Sequence, residues 1–164
     1  MHPDLLLAHT LLYHPLGWAC GTPQAEAESA DYGAFALTVA GLRVRFRAAK
    51  ITPTKVGQFV TLWQRVGKGP IQPFDVADPV DCCVVSVRRG AQLGQFVFPM
   101  GVLRQQGVAS VHGQGGKRAL RVYPPWDSPT SRQAEKTQQW QRECFVDLSG
   151  GAVDLERARR LYGL

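Results

Sequence analysis

The sequence predicts an α+β fold in which short helices flank a bent, partly closed antiparallel sheet that is similar to a barrel. Alternating apolar and polar residues fill the middle of the chain, and turn residues separate these segments. The longer stretches of helical periodicity lie toward the two ends. With 164 residues, of which 45% are hydrophobic, the chain is long enough to bury one core, so we expect a single domain over residues 1–164.

The first part of the chain predicts a helix followed by a hairpin. Residues 3–13 carry apolar side chains at helical spacing, and Pro15 ends this segment. Residues 33–39 and 42–51 alternate between apolar and polar on either side of a two-residue link, Ala40-Gly41. A link of this length predicts a tight hairpin.

The later elements are predicted from the same two periodicities. Residues 82–87 and 95–98 predict a second hairpin, and helical spacing from Ser131 onward predicts a helix capped by Ser128 or Ser131. Further strands are expected at residues 57–66, 107–111 and 120–123, the last of these as the final strand, with a helical turn at 99–106 and a short helix at 153–161.

The net charge of +6 is concentrated in two spans that contain no acidic residue. Tyr32 to Phe74 holds seven Lys and Arg, and Cys82 to Trp126 holds six. Alternate residues of a strand face the same side, so the arginines at positions 43, 45 and 47 are expected to form a row of three guanidinium groups. This distribution of charge favours an anionic partner.

The cysteines and the N-terminal segment bear on compartment. Cys20, Cys82, Cys83 and Cys144 form no C-x-x-C or Cys/His cluster suited to zinc, so we expect buried, reduced thiols and no metal or other cofactor. No apolar run reaches the roughly 20 residues that cross a bilayer, and Asp4 lies where a signal peptide is basic. We therefore expect a cytoplasmic protein with no membrane partner.

Several long segments carry a family resemblance. They are KITPTKVGQFVTLWQR (50–65), GPIQPFD (69–75), GQFVFP (94–99), GKRALRVYPPWD (116–127) and QAEKTQQWQ (133–141). Together they resemble the MepB-like family of small bacterial proteins over about residues 32–145. The resemblance implies a mixed fold that is compared with nucleic-acid-binding domains, and it implies no settled enzymatic activity. Family members commonly have Lys after the FP of GQFVFP, where this chain has Met100.

We predict that the chain binds DNA or RNA through a basic sheet face, with a regulatory role as one form of that function. Guanidinium and ammonium groups bind phosphate oxygens and release counterions. Tyr123 and Trp126 are the rings favoured for stacking on a base, because Pro124-Pro125 directs them toward a loop, and Trp126 is included in the predicted site. The predicted contact residues are Arg43, Arg45, Arg47, Lys50, Lys55, Arg88, Arg89, Lys117, Arg118, Arg121 and Trp126.

Other interpretations of the same residues stay open. The arginine row could be a solvated strand face that prevents edge-to-edge aggregation. A metal-dependent nuclease could use Asp81 before the second hairpin, although its second strand offers a neutral Gln95 and Met100 in place of a carboxylate and a lysine. Another hydrolase, with a site that the sequence does not reveal, is also an alternative. The family resemblance implies a further alternative, a protein-interaction module linked to a drug-efflux operon, because the family is named after a gene that neighbours a drug-efflux pump. HGQGGKR lacks the P-loop spacing, and we expect a monomer or weak homodimer.

Overall fold

The computed structural model describes residues 1–164 and contains eleven strands, four α-helices and two other short helices. The strands are β1 (Gln24–Ala25), β2 (Phe35–Val39), β3 (Leu42–Ala48), β4 (Lys50–Ile51), β5 (Gln58–Thr61), β6 (Trp63–Arg65), β7 (Ile71–Pro73), β8 (Cys82–Arg89), β9 (Gln92–Pro99), β10 (Ala119–Val122) and β11 (Phe145–Asp147). The α-helices are α1 (Pro3–Ala8), α2 (Met100–Gln105), α3 (Arg132–Arg142) and α4 (Leu155–Tyr162). A π-helical segment (His9–Tyr13) extends α1, and a 3-10 helix spans Ala27–Tyr32.

Six strands form the main sheet, in the order β1-β2-β3-β8-β9-β11. Within it, β3 and β8 run parallel and the other neighbours run antiparallel. The remaining strands form a three-stranded sheet, β10-β5-β4, and a two-stranded ribbon, β6-β7. The α+β class with mostly antiparallel strands is thus confirmed. The main sheet stays open and does not close into a barrel, because its edge strands β1 and β11 are not hydrogen-bonded to each other.

Both predicted hairpins are present. Ala40 and Gly41 join β2 to β3 with φ values of 48° and 82°, the double positive φ of a turn that matches the twist of the two strands. The second hairpin pairs β8 with β9 over eight residues each, and both strands are longer than the sequence pattern indicated. The predicted strand at 57–66 is divided into β5 and β6, which belong to different sheets.

Two hydrophobic cores lie on the two faces of the main sheet. The first packs α1 and α4 against the sheet and includes Leu5, Leu12, Val84, Ala158 and Tyr162. The second lies between the main sheet, the three-stranded sheet and α2, and includes Val60, Val85, Phe98, Leu103 and Val122. Strand β8 is buried on both faces, so Cys82 belongs to the first core and Cys83 to the second. The opposite orientation of these two thiols, expected from the strand pattern, is confirmed.

Side-chain caps fix the ends of the helices. The Ser131 hydroxyl accepts a hydrogen bond from the Ala134 amide at 3.1 Å, so the predicted cap of α3 is confirmed. Asp154 caps α4 in the same way through the Arg157 amide.

None of the helices has the length and apolar character that crossing a bilayer requires.

Two sequence-based expectations about strands are wrong. Residues 107–111 form only isolated bridges, because the Val108 and Ala109 amides both donate to the Leu103 carbonyl at the end of α2. The strand at 120–123 is not the final one, since β11 follows α3 and pairs with β9. Strand β11 has only three residues, and a segment that short carries too little alternation to be recognised.

Candidate nucleic-acid interface

The three arginines of β3 share one side of the strand, as predicted, but they do not form a free row. Strand β3 lies inside the main sheet, where Val44 and Phe46 enter the first core. The guanidinium groups of Arg45 and Arg47 face the opposite layer, 5.6 and 5.9 Å from the centre of the Phe74 ring. At Arg45 and Arg47 this face is therefore covered by protein, so the three arginines form no open stripe.

A single carboxylate pairs with two of these arginines. Glu26 accepts from Arg47 Nη1 at 2.9 Å and lies 3.3 Å from Arg45 Nη1. The Arg47 side chain is 0% exposed and also donates to the Phe46 carbonyl. A buried guanidinium is stable only when it is paired and hydrogen-bonded. Arg47 is thus committed to the interior and is not available to a phosphate.

The other β3 arginine is paired at the surface. Arg43 Nε and Nη2 each donate to the Asp81 carboxylate at 3.0 Å, and the Arg43 amide donates to it at 2.7 Å. These bonds lower the pKa of the Asp81 carboxyl and raise that of Arg43. Both oxygens of the Asp81 carboxylate, which the nuclease interpretation requires as a metal ligand, are thus already bonded to Arg43.

Gln95, the second residue of that interpretation, lies in the first core. Its Oε1 accepts from the Tyr162 hydroxyl at 2.6 Å, and Tyr13 is in turn hydrogen-bonded to Tyr162. Strand register places Gln95 opposite Ser86 in the middle of β8, whereas Asp81 lies before the first residue of that strand. No group of three or more His, Cys, Asp or Glu side chains converges anywhere in the chain.

The hairpin arginines are also paired with acids. Arg88 Nη2 donates to Asp4 Oδ1 at 2.7 Å, and Ser86 donates to the other oxygen of that buried carboxylate. Arg89 Nη1 lies 3.1 Å from Asp127. Each of these carboxylates lies outside the two acid-free spans of the sequence. Folding therefore neutralises most of the predicted β-sheet arginines.

Three predicted cations remain together in one groove, which we call the basic groove. It has a volume of about 750 Å³ and lies between the β4–β5 loop, β10 and the start of α3. Lys55, Lys117 and Arg121 line it, and none of its sixteen lining residues is acidic. The capped N-terminus of α3 at Ser131 also opens onto it, which adds the positive end of a helix dipole.

The β4–β5 loop is held in place by Arg121 and a glycine. Arg121 Nη1 donates to Thr52 Oγ1 at 2.9 Å and to the Val56 carbonyl at 3.3 Å. Gly57 has a φ of 83°, and a Cβ there would lie 2.7 Å from the Tyr123 ring. The loop that carries Lys55 is therefore fixed against the second layer.

The loop before Lys117 is held by Asp75. The Asp75 carboxylate accepts from the amides of Ala77 and Gly113 and from the Ser110 hydroxyl at 2.7 Å. These three donors lower the pKa of Asp75 to about 2. The Lys117 amide donates to the Val108 carbonyl, so both ends of the glycine-rich segment are anchored.

The remaining predicted residues lie apart from the basic groove. The Lys50 ammonium lies 4.8 Å from the centre of the Tyr32 ring, and Arg118 is exposed but does not line the groove. Trp126 is half-buried and packs edge-on against Phe145. It lines a second groove on the other side of the β4–β5 loop, together with Arg89.

Sequence reasoning missed one aromatic residue, Trp140, and one helix end in the basic groove. Tyr123 and Trp140 line it, and α3 begins at its rim. The sequence favours Tyr123 for base stacking but does not place it among the predicted contact residues, and it gives no role to Trp140 in the site. The phenol of Tyr123 follows a basic strand directly, which is the signal that could have placed it beside Arg121.

Comparisons with known proteins come from two sources. The model of the MepB-like family matches residues 26–147, which is most of the chain. The solved structure named "Crystal Structure of MepB" is similar with a TM-score of 0.75 and 29% sequence identity, and the match covers 90% of this chain and 97% of that one. No curated protein matches the chain.

Proposed function

The chain belongs to the MepB-like family. We propose that it binds nucleic acid, DNA or RNA, through the basic groove. Lys55, Lys117 and Arg121 are the phosphate contacts. The observation that carries the proposal is the composition of the groove, in which three cations meet no carboxylate. The arginines of β3 and β8 are paired with acids, whereas this groove brings together three of the predicted cations that folding leaves without an acidic partner.

The aromatic residues give the groove a second mode of contact. Tyr123 and Trp140 line the same concave surface as the three cations. Stacking on a ring requires an exposed base, while contact with a phosphate does not. A groove that offers both kinds of contact suits a strand with accessible bases, and it recognises a nucleic acid mainly through its backbone.

The Arg45–Glu26–Arg47 cluster has a structural role in this proposal. Arg47 is buried, and the pairs of Arg43, Arg88 and Arg89 compete with any phosphate. Of the residues predicted from sequence, Arg89 and Trp126 border the second groove and are secondary contacts.

A cytoplasmic location agrees with four free cysteines, of which three are buried. A monomer or weak homodimer stays a prediction.

The test is fluorescence anisotropy of labelled single-stranded DNA, duplex DNA and RNA at several salt concentrations. Lys55→Ala combined with Lys117→Ala removes two cations that hold no other element in place. We expect the wild type to bind with a steep salt dependence and the double variant to lose about one unit of log–log salt slope per lysine. Arg159→Ala with Arg160→Ala, on α4 at the other face of the main sheet, is the matched control.

Two results would contradict the proposal. One is the absence of binding at low salt, and the other is an equal loss of affinity in the groove variant and in the α4 variant. The same samples address the hydrolase alternative, because shortening of the labelled strand that requires Mg²⁺ would be visible on a gel. If strand cleavage occurs and is abolished by Asp81→Ala, the protein is a nuclease.

A further inference from the structure

The side-chain amide of Gln141 is hydrogen-bonded to the backbone of two residues that line the basic groove. Its Nε2 donates to the Arg121 carbonyl at 3.1 Å, and its Oε1 accepts from the Tyr123 amide at 2.8 Å. Strand β10 is an edge strand of the three-stranded sheet, so its outer backbone groups have no neighbouring strand. Gln141, which is 0% exposed, takes the place of that strand.

Helix α3 carries the second ring of the groove next to this glutamine. Trp140 precedes Gln141 in the chain, and both Trp140 and Tyr123 line the basic groove. The bond between the Tyr123 amide and Gln141 Oε1 therefore connects the two segments that carry these rings. One turn earlier, Gln138 donates to two carbonyls of the loop after β10, which fixes α3 to the chain at a second point.

The three cations of the groove are held in place by other contacts. The Arg121 guanidinium is bonded to the β4–β5 loop, which carries Lys55. Asp75 holds the segment before Lys117. Gln141 is bonded to the Arg121 backbone and not to its side chain. A change at Gln141 should therefore disturb the position of the rings more than the position of the cations.

We propose that Gln141 is a positioning residue for base recognition, which fixes the Tyr123 ring relative to Trp140 so that bases of a single strand stack in the basic groove. The inference rests on the proposed function, and it assigns the ligand as a single strand whose bases are free. Stacking on an aromatic ring depends on an offset or edge-on placement of the two rings, so it is sensitive to where the protein holds its own rings. Phosphate contact depends mainly on charge.

Two measured quantities separate stacking from phosphate contact. The first is the ratio of affinities for a normal single strand and for an abasic strand of the same length, and the second is the slope of affinity against salt. Stacking of one base on a ring is worth roughly tenfold in affinity, so we expect a ratio of about ten for the wild type. Gln141→Met should lower the ratio to about two, because methionine has a similar length but no amide, and it should leave the salt slope unchanged.

The experiment is fluorescence anisotropy with a labelled single strand, the abasic strand and a duplex at several salt concentrations. Gln95→Met is the matched control, because Gln95 is a buried glutamine that bonds Tyr162 in the first core, away from the groove. Circular dichroism checks that each variant is folded. If Gln141→Met does not fold, Gln141→Asn replaces it, since asparagine keeps the amide but is one methylene too short to make both bonds.

The outcomes distinguish this inference from the proposed function. A reduced preference for the normal strand in the Gln141 variant, with an unchanged salt slope and a wild-type ratio in Gln95→Met, supports the positioning role. A ratio that stays at the wild-type value in the Gln141 variant, or falls equally in Gln95→Met, overturns that role and leaves the proposed function intact. Equal binding of the normal and abasic strands by the wild type has the same meaning. Failure of every strand to bind at low salt overturns both.

Discussion

The β3 arginines (Arg43, Arg45 and Arg47) and the groove cations (Lys55, Lys117 and Arg121) all come from the two acid-free spans of the sequence but have different environments. Every β3 arginine has a carboxylate partner within 3.3 Å. The groove cations have none, and the groove that they line is free of acidic residues. The charge of one set is neutralised within the protein, and the charge of the other set is left without an acidic partner.

The difference shows that a cation's function depends on which carboxylates the fold brings to it. Glu26 follows β1, and its partners lie on β3, more than fifteen residues later in the chain. Pairing of this kind stabilises the folded chain and removes charge from the surface. A cluster of arginines in sequence is therefore weak evidence for a binding site until its partners are known.

The largest expected loss of stability follows from removing the carboxylate that pairs with two of the β3 arginines. Glu26→Gln leaves the buried Arg47 guanidinium without its counter-charge, so we expect a loss of about 3–5 kcal/mol in the free energy of unfolding. Urea unfolding followed by circular dichroism measures it. Adding Arg47→Met removes the buried charge too and should restore much of the stability. If Glu26→Gln unfolds at the wild-type urea midpoint, the pair is not structural.

A smaller loss of stability is expected at Gly57, where the β4–β5 loop turns. Gly57→Ala places a Cβ against the Tyr123 ring at a positive φ, which should cost about 1–3 kcal/mol of stability. It should also weaken nucleic-acid binding by displacing Lys55. Gly67→Ala separates the two causes, because Gly67 has a φ of 59° but nothing within 4 Å of the added Cβ. Equal losses in both variants would show that the contact with Tyr123 is unimportant.

Asp75, which holds the loop before Lys117, should make the stability of the protein depend on pH in the acid range. Its pKa is lowered to about 2 by the three hydrogen bonds that it accepts, so its contribution is fully present above the ordinary carboxyl value near 3.8. It is lost as the pH falls from 3.8 toward 2. In urea titrations from pH 6 to pH 2, Asp75→Asn should be less stable than the wild type at pH 6 and should lose less stability on acidification. Parallel curves for the two proteins would contradict this assignment.

The smallest effect tests whether Arg43 belongs with the β3 arginines or with the groove cations. Arg43→Ala removes an exposed pair, so the change in unfolding free energy should be small and should shrink further in high salt. Anisotropy should show unchanged affinity for nucleic acid. A loss of affinity as large as that of the Lys55/Lys117 variant would move Arg43 into the interface and weaken the comparison.

Much of the fold could be predicted from local patterns. Ala40-Gly41 predicted the first hairpin because a two-residue link with two positive φ values suits that turn, and Ser131 predicted the start of α3 because its hydroxyl satisfies a free amide. Strand β11 and the division of residues 57–66 between two sheets could not be predicted. Both depend on which distant strand supplies the hydrogen-bond partners, and a segment of three or four residues contains no sequence pattern that identifies its partner strand.

The candidate site was predicted less completely. Lys55, Lys117 and Arg121 were among the residues expected from the acid-free spans, and the structure brings them to one groove. The β3 alternation correctly placed Arg45 and Arg47 on one side of the strand, but the same pattern fits a solvated face and a covered face lined by ion pairs. The pattern could not distinguish them, because it contains no information about the second layer that carries Phe74.

By itself, the sequence determined the secondary structure that rests on contacts between near neighbours, the excess of positive charge, and the family to which the chain belongs. The tertiary structure alone decided which cations remain unpaired. Local structure depends on backbone geometry and capping over a few residues. Charge pairing depends on contacts between residues that are up to 84 positions apart, such as Arg88 and Asp4, and these exist only once the layers have packed.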